Sequence, residues 1–325
     1  MFISKSENLK ILINKNLRKS KVPKFIDFNV KEWIESDKNI LLNKINKNLS
    51  KKICIRSSFA LEDNINDSLA GKFESYLNIS NTKKNIIFYV NEIIKQYLKF
   101  DKKNVNNSNI FVQNYISDSI LSGVVTNFNL HDGSPYYVIN YDDTSNLTDT
   151  VTSGGKSGFR ALYVFKNKLN NVKSVRFRPL VQSIKEIEKK FNYLPVDIEF
   201  AVDKKKKVHI FQIRPITTKK KWKVINTTEF GMELNNLSSK FLSLEKKNSK
   251  FNKSAVLGLM PDWNPVEMIG SFPSKLSFSL YKELITKNSW SIARKQMGYK
   301  HVNSELMYNF SGRPYIDVRL SFNSF

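Results

Sequence analysis

An α+β fold is predicted for this 325-residue chain by two observations. Helical and strand-like runs are interspersed along most of its length, and one segment, DIEFAVDKKKKVHIFQIRPITT at 197–218, reads as two strands joined by a lysine-rich turn. The length suffices for two domains with a sizeable core, and 41% hydrophobic content belongs to a globular protein.

Taken in order, SKSENLKILI places Ser4 and Glu7 as a capping box ahead of Leu9, Leu12 and Ile13 at helical spacing, with Lys5 in the first turn. Pro23 closes that unit. FIDF and ICIRSS read as strands separated by a helical stretch around Trp33, and Phe73 to Ile79 is a further strand. Residues 85–99 put Ile86, Val90, Ile93, Ile94 and Tyr97 on one helical face. Strand-like runs follow at 109–116, 122–128 and 136–141, and Ser183 with Glu186 forms a second capping box opening a helix with Ile184, Ile187 and Phe191 inward. The hairpin comes next. Residues 219–253 turn polar and rich in Lys, Asn and Ser, as a linker or insertion would, and 254–325 regain Pro, Trp, Met and Tyr.

The formal charge of +24 suggests a nucleic-acid binder at first sight. Only nine of the 53 basic residues are Arg, however, and the lysines are scattered among Asn and Ile with no RNA- or DNA-binding motif, so the charge reads as compositional and nucleic acid is not the expected partner. Each well-placed Arg is correspondingly informative. The single Cys54, within the apolar run ICI, excludes an intramolecular disulfide and any multi-cysteine metal site. No apolar run approaches the roughly 18 residues of a membrane helix, and MFISKSENLK lacks a signal-peptide apolar region, which predicts a soluble, cytoplasmic protein with no membrane partner.

Two stretches could carry chemistry. In CIRSSFALEDNINDSLAGKFESYLNI, residues 54–79, a strand delivers Arg56, two hydroxyl residues follow, Glu62 and Asp63 sit in the loop, and Gly71 allows close backbone approach before the next strand. A guanidinium with a glycine-containing loop suits phosphate; a surface turn with a salt bridge has the same composition. In the hairpin, period-2 alternation places Asp197 and Glu199 on one face with Ala201, and Gln212 with Arg214 together on the return strand. Such hard oxygen ligands suit Mg²⁺ beside nucleotide phosphates, with Arg214 neutralising a transferring phosphoryl group; a solvated polar sheet face remains the alternative.

Together these stretches resemble the nucleotide-binding domain of pyruvate phosphate dikinase and phosphoenolpyruvate synthase, an ATP-grasp fold also found in rifampin phosphotransferase and related dikinases. SKSENL at 4–9 resembles the family's GGKGANL opening, which implies Lys5 as the ATP-contacting lysine. IRSSFALED resembles VRSSATAED, with Arg56 at the phosphate-binding arginine. AGKFESYLNI resembles AGQQETFLNV, with Gly71 and Ser75 facing the triphosphate. FVQNYI resembles the strand bordering the adenine, carrying Gln113, and SGVVTN resembles SGVAFT. DIEFAVD with FQIRPIT resembles DIEWAID with LQARPIT, which implies Glu199 and Gln212 as Mg²⁺ ligands and Arg214 as the γ-phosphate contact; Arg214 and Arg56 are the candidate catalytic residues. These matches span about 215 residues in family order.

There are departures. Ile3 and Ser4 replace the glycines before Lys5, which implies a stiffer lid. The family's GLGE segment is not recognisable; in its place YDDTSNLTDTVTSGGKSG, 141–158, offers Thr152, Ser153, Gly154 and Gly155 as either a phosphate nest or a plain loop. The family passes the phosphoryl group to a histidine in a TxGGxxSH-like setting on a separate domain. The chain's histidines are His131, His209 and His301, none in that setting, and alternation puts His209 on the face opposite Gln212 and Arg214, as a structural residue.

The C-terminal stretches MPDWNPVEMIGSFPSKLSFSLYKELITKNSW and GRPYIDVRLSFNSF resemble the start of the substrate-side region of phosphoenolpyruvate-synthase-like proteins from surface-polysaccharide gene clusters, some of which resemble kinases of small metabolites, including a glutamine kinase. Asp262, Trp263, Arg313, Asp317 and Arg319 are candidates there for substrate-side or folding roles. The expected organisation is an ATP-grasp domain over 1–218, with subdomains near 1–80 and 81–218, a linker or insertion over 219–253, and a truncated substrate-side domain over 254–325. The expected function is a kinase module that uses ATP and Mg²⁺ to phosphorylate a carrier histidine, supplied by a partner chain or a longer parent chain, for transfer to a small metabolite. The alternative is a non-catalytic ATP-binding remnant.

Overall fold

The computed structural model describes residues 4–59, 73–144, 160–216, 226–247, 254–259, 264–301 and 305–323. The chain divides into two compact units, Met1–Ile225 and Asn226–Phe325.

The first unit opens with helix α1 (Lys5–Asn14), followed by β1 (Ser20–Lys21), β2 (Phe25–Asn29), α2 (Val30–Glu35), α3 (Lys38–Asn48), β3 (Lys52–Ser58), β4 (Tyr76–Ser80), α4 (Lys83–Phe100) and β5 (Asn109–Asn114). Strands β2, β5, β3 and β4 form an antiparallel sheet in that order. Ile53, Ile55, Ile110 and Val112 meet the apolar stripe of α4 and Leu42 and Ile45 of α3 in one core. The stripe of α4 is the one its 3.6-residue spacing dictates: Ile86, Val90, Ile93, Ile94 and Tyr97 are all buried.

A second sheet is built from β6 (Ser119–Thr126), β7 (Tyr136–Asp142), β8 (Arg160–Phe165), β9 (Val196–Asp203) and β10 (Val208–Pro215), in the order β1-β10-β9-β6-β7-β8. Only β1 runs parallel to its neighbour, β10. Helix α5 (Phe177–Lys190) covers one face, its Leu180, Ile184 and Ile187 packed with Ile139, Ile198, Phe200 and Val202. A Cβ on Gly123 would lie 2.0 Å from the Asn140 carbonyl oxygen, so β6 can approach β7 this closely only with glycine there. Leu9 and Leu12 of α1 join the same core, together with Phe111 from the first sheet. Two hydrogen bonds pin α1 to both sheets: the Ser6 backbone N–H donates to Ser58 Oγ at 3.1 Å, and Asn8 Nδ2 donates to the Ile213 carbonyl at 3.2 Å.

Four expectations are corrected. Helix α4 and strand β5 belong to the first sheet, so the change of sheet falls between Asn114 and Ser119 instead of near residue 80: β5 is a central strand there, paired on both sides. Ser4 is the N-cap of α1, but its hydroxyl donates to Glu7 Oε2 at 3.2 Å and accepts no backbone N–H, so the capping box is not formed. Ser183 and Glu186 lie inside α5, which begins at Phe177. They hold the approach to β1 instead, Ser183 Oγ donating to the Lys19 carbonyl and Glu186 accepting the N–H groups of Arg18 and Lys19. Finally, the ladder between β9 and β10 shifts register between Ile210 and Gln212, leaving His209 opposite Ala201 and therefore on the face of Asp197 and Glu199.

The second unit contains α6 (Thr227–Lys247), β11 (Leu257–Gly258), α7 (Pro265–Ile269), α8 (Lys275–Leu280), a π-helical segment (Tyr281–Ser289), α9 (Trp290–Gln296), β12 (Met307–Phe310), β13 (Arg313–Asp317) and α10 (Val318–Asn323). Helix α6 thus occupies most of the segment read as a linker or insertion. The three strands pair as β11-β13-β12 over a small core of Tyr281, Trp290, Leu306, Met307, Ile316 and Leu320. No described helix is long and apolar enough to cross a membrane.

Candidate functional site

The hairpin β9–β10 sets out the site by register. Glu199 lies opposite Gln212 and Asp197 opposite Arg214, and directly opposed residues of an antiparallel pair point to one face. That is the face away from α5, because the intervening Ile198, Phe200 and Val202 are the ones packed with it. Arg56 reaches the same place from β3 of the other sheet, its Nη1 donating to Glu199 Oε2 at 3.1 Å. Both side chains are shielded, 9% and 18% exposed. The guanidinium of Arg56 also lies 5.5 Å from the centroid of the Phe211 ring, the residue at the register shift.

The second pair is asymmetric. Nε and Nη2 of Arg214 donate at 2.8 and 2.6 Å to the same oxygen, Asp197 Oδ2. Burial pushes the Asp197 carboxyl up, a tendency opposed by the charge and hydrogen bonds of Arg214 and reinforced by the neighbouring Glu199 carboxylate. Around these pairs several buried polar atoms have no hydrogen-bond partner among the described residues: Arg56 Nε, Gln212 Nε2 and Asp197 Oδ1. Two such donors and one such acceptor suit a ligand that brings anionic oxygens together with a cation or proton donor, since unsatisfied buried groups are costly.

Other predicted residues fall as follows. Lys5 is the first residue of α1 and half-buried, at the helix end where backbone N–H groups favour anions. Gln113 is fully buried on β5, two residues along from the partner of Arg56, with Nε2 on the Pro23 carbonyl at 3.3 Å and Oε1 unpartnered. Ser75 is exposed just before β4. Gly71, Glu62, Asp63 and the segment Thr152 to Gly155 lie outside the described residues, as do Asp262 and Trp263. The structure therefore brings Arg56, Glu199, Gln212 and Arg214 into one cluster, with Gln113 on the Arg56 face of the first sheet.

Among the described residues no group of three or more His, Cys, Asp or Glu side chains could hold a metal. One or two carboxylates are nevertheless the usual protein contribution to Mg²⁺, a hard cation that prefers oxygen ligands and whose remaining positions go to water and phosphate oxygens. Glu199, Gln212 and the open oxygen of Asp197 fit that donor set.

In the second unit, Asp317 and Arg319 form a buried bidentate pair, 0% and 3% exposed, with Nε and Nη2 donating at 3.0 and 2.9 Å. Nη2 of Arg319 also donates to the Leu244 carbonyl at 3.1 Å, in the last turn of α6, so this pair ties the end of β13 to α6. Arg313 lies with its guanidinium 4.3 Å from the Phe272 ring centroid. His209 bonds Asp203 through Nε2 at 2.9 Å, in keeping with a structural residue, and His301 Nδ1 meets Ser291 Oγ at 3.0 Å.

Sequence reading did not identify the supports of the site. Tyr97 OH accepts the Ser58 N–H and donates to the Asn109 carbonyl, both at 2.8 Å, fixing the end of β3 two residues beyond Arg56. Asp197 was legible from alternation as a neighbour of Glu199, but not as an anchor of Arg214.

No curated protein sequence matches the chain. Among solved structures it is similar to a D-alanine-D-alanine ligase from Helicobacter pylori, at 11% identity and a TM-score of 0.35, over 66% of this chain and 50% of that one. It is similar also to an N5-carboxyaminoimidazole synthetase from Staphylococcus aureus complexed with ADP, at 13% identity and a TM-score of 0.37, over 65% of this chain and 44% of that one. The chain spans about half the length of these structures. The family described as the pyruvate phosphate dikinase AMP/ATP-binding domain matches residues 5–141 and 138–233, the stretch that supplies both sheets and every residue of the cluster. The chain belongs to that family, and its first unit is an ATP-binding module of the ATP-grasp fold.

Proposed function

We propose that the module is the nucleotide site of an Mg²⁺- and ATP-dependent phosphotransferase, which phosphorylates a carrier histidine on a separate domain or chain for delivery to a small metabolite. The observation that carries this reading is the meeting of Arg56 and Glu199 from two facing sheets beside the Arg214–Asp197 pair. Lys5 and Arg56, with Gly71 and Ser75, bind the phosphates, and Gln113 borders the adenine. Glu199 and Gln212 hold Mg²⁺, which when bound neutralises phosphate charge. Arg214, held on Asp197, faces the γ-phosphoryl group as its bond to ADP breaks and a bond to the acceptor nitrogen forms; charge-stabilising groups fixed beforehand cost no reorganisation at that moment.

Calorimetric binding of Mg–ATP and turnover by wild type and Arg214→Ala test the assignment. Loss of turnover is expected, and unchanged binding and turnover would overturn the role of Arg214. Release of ADP or AMP on adding a separately expressed phosphohistidine domain is the second expectation; none under any condition favours a non-catalytic ATP-binding remnant.

A further inference from the structure

We infer that the Arg56–Glu199 pair makes the site selective for the metal–nucleotide complex over either component alone. The inference rests on the roles proposed above for these two residues. At 3.1 Å each group occupies the position that the other's ligand would take, the carboxylate standing in for a phosphate at Arg56 and the guanidinium for a cation at Glu199. The Arg214–Asp197 pair lies two residues along both strands, so the four charges cancel before anything binds.

Opening a shielded ion pair by engaging one partner leaves the other charge uncompensated, which is costly. Metal-free ATP that captures Arg56 leaves Glu199 unpaired and facing phosphate oxygens. A bare divalent cation that captures Glu199 leaves the Arg56 guanidinium unpaired beside a dication. The complex re-pairs both at once, since phosphate replaces Glu199 at Arg56 and the metal replaces Arg56 at Glu199. The orphaned Arg56 Nε and Gln212 Nε2 gain acceptors and the orphaned Asp197 Oδ1 faces the cation in the same step. Binding of metal and of nucleotide are therefore coupled, by the same factor in each direction.

Equilibrium binding of ATP in excess EDTA and in Mg²⁺ tests this on the whole chain, for wild type, Glu199→Gln and Arg56→Gln. Wild type is expected to bind metal-free ATP at least about tenfold more weakly than Mg–ATP. Glu199→Gln, which frees Arg56 without changing shape, tightens metal-free ATP by a similar factor. Arg56→Gln tightens nucleotide-free Mn²⁺, followed by its spin-resonance signal. Equal wild-type affinities with and without metal overturn the inference, whether or not the variants fold. So does a folded Glu199→Gln that gains no affinity for metal-free ATP, or an Arg56→Gln that gains none for Mn²⁺. A wild type that binds ATP under neither condition overturns the functional reading itself, and is thereby distinguished from failure of the coupling.

Discussion

Asp197 accepts two hydrogen bonds from Arg214 on one carboxylate oxygen, at 2.8 and 2.6 Å, while its other oxygen is buried with no hydrogen-bond partner among the described residues. The acid therefore holds the guanidinium with one oxygen and retains the other as an acceptor. Asp197→Asn is expected to lower turnover by about 10²-fold, because a misaimed arginine loses its preorganised hold on the transferring group. Intact Mg–ATP binding with unchanged turnover would show that Arg214 needs no anchor.

The same carboxyl imposes a pH dependence. Burial raises its pKa, so as pH falls Asp197 takes up a proton earlier than an ordinary carboxyl does and Arg214 loses its ionic partner. For stability the sign is opposite: a folded pKa above the unfolded value contributes stability that is present below the unfolded pKa and is lost as pH rises through the folded one. Turnover should thus fall on the acid side above the usual carboxylate range while the fold is not weakened by this group. A pH–rate profile of wild type against Asp197→Asn checks it, since the variant should lack that limb.

Tyr97→Phe removes the hydroxyl that satisfies the Ser58 N–H and the Asn109 carbonyl. Leaving buried backbone groups unpaired costs about 1–3 kcal/mol. A urea midpoint lowered at constant slope is the expected measurement; an unchanged midpoint would mean that water reaches both groups.

Glu188 organises a buried cluster beneath the second sheet. It accepts from Tyr137 OH at 2.7 Å and from Asn127 Nδ2 at 3.1 Å, and pairs with Lys166. Burial lowers the pKa of Lys166, opposed by Glu188. Glu188→Gln leaves that ammonium without its counter-charge, at a cost of about 3 kcal/mol or more. The unfolded chain then binds the proton more tightly than the folded one, so the deficit should shrink as pH rises toward the pKa of an ordinary lysine. Melting curves at pH 7 and pH 10 distinguish this from a simple packing defect, whose deficit would be pH-independent.

Arg319→Ala removes the guanidinium that balances the charge of a 0%-exposed Asp317 and that binds the Leu244 carbonyl at the end of α6. The expected loss is about 3–5 kcal/mol, confined to the second unit. Hydrogen exchange should show early protection loss in α6 and β13 while the strands of the nucleotide site keep theirs.

Local patterns were legible where the chain's own period decides the structure. The stripe Ile86 to Tyr97 is a helix face whatever surrounds it, and the alternation of Asp197, Glu199, Gln212 and Arg214 needed only a hairpin. Patterns that depend on distant partners were not. Ser183 and Glu186 have the composition of a helix start, but their oxygens serve Arg18 and Lys19, 164 to 168 residues away. His209 was assigned to the wrong face because one extra residue at Phe211 inverts the alternation, and a bulge leaves no mark in residue types. The pairing of Arg56 with Glu199 joins sheets 143 residues apart in sequence, which no window along the chain contains.

The parallel pairing of β1 with β10 has a consequence for biosynthesis. Ser20 and Lys21 find their neighbours only when Val208 and His209 have left the ribosome, and Asn8 finds the Ile213 carbonyl later still. The N-terminal helix can meet β3 early through Ser6 and Ser58, but it lacks the part of its cover that β9 and β10 supply through the translation of some two hundred residues, which takes about 10 to 40 seconds at ordinary elongation rates. Its contacts with β10 close around the strand that carries Gln212 and Arg214, so a nascent chain completes its nucleotide site and the cover of the helix in the same step.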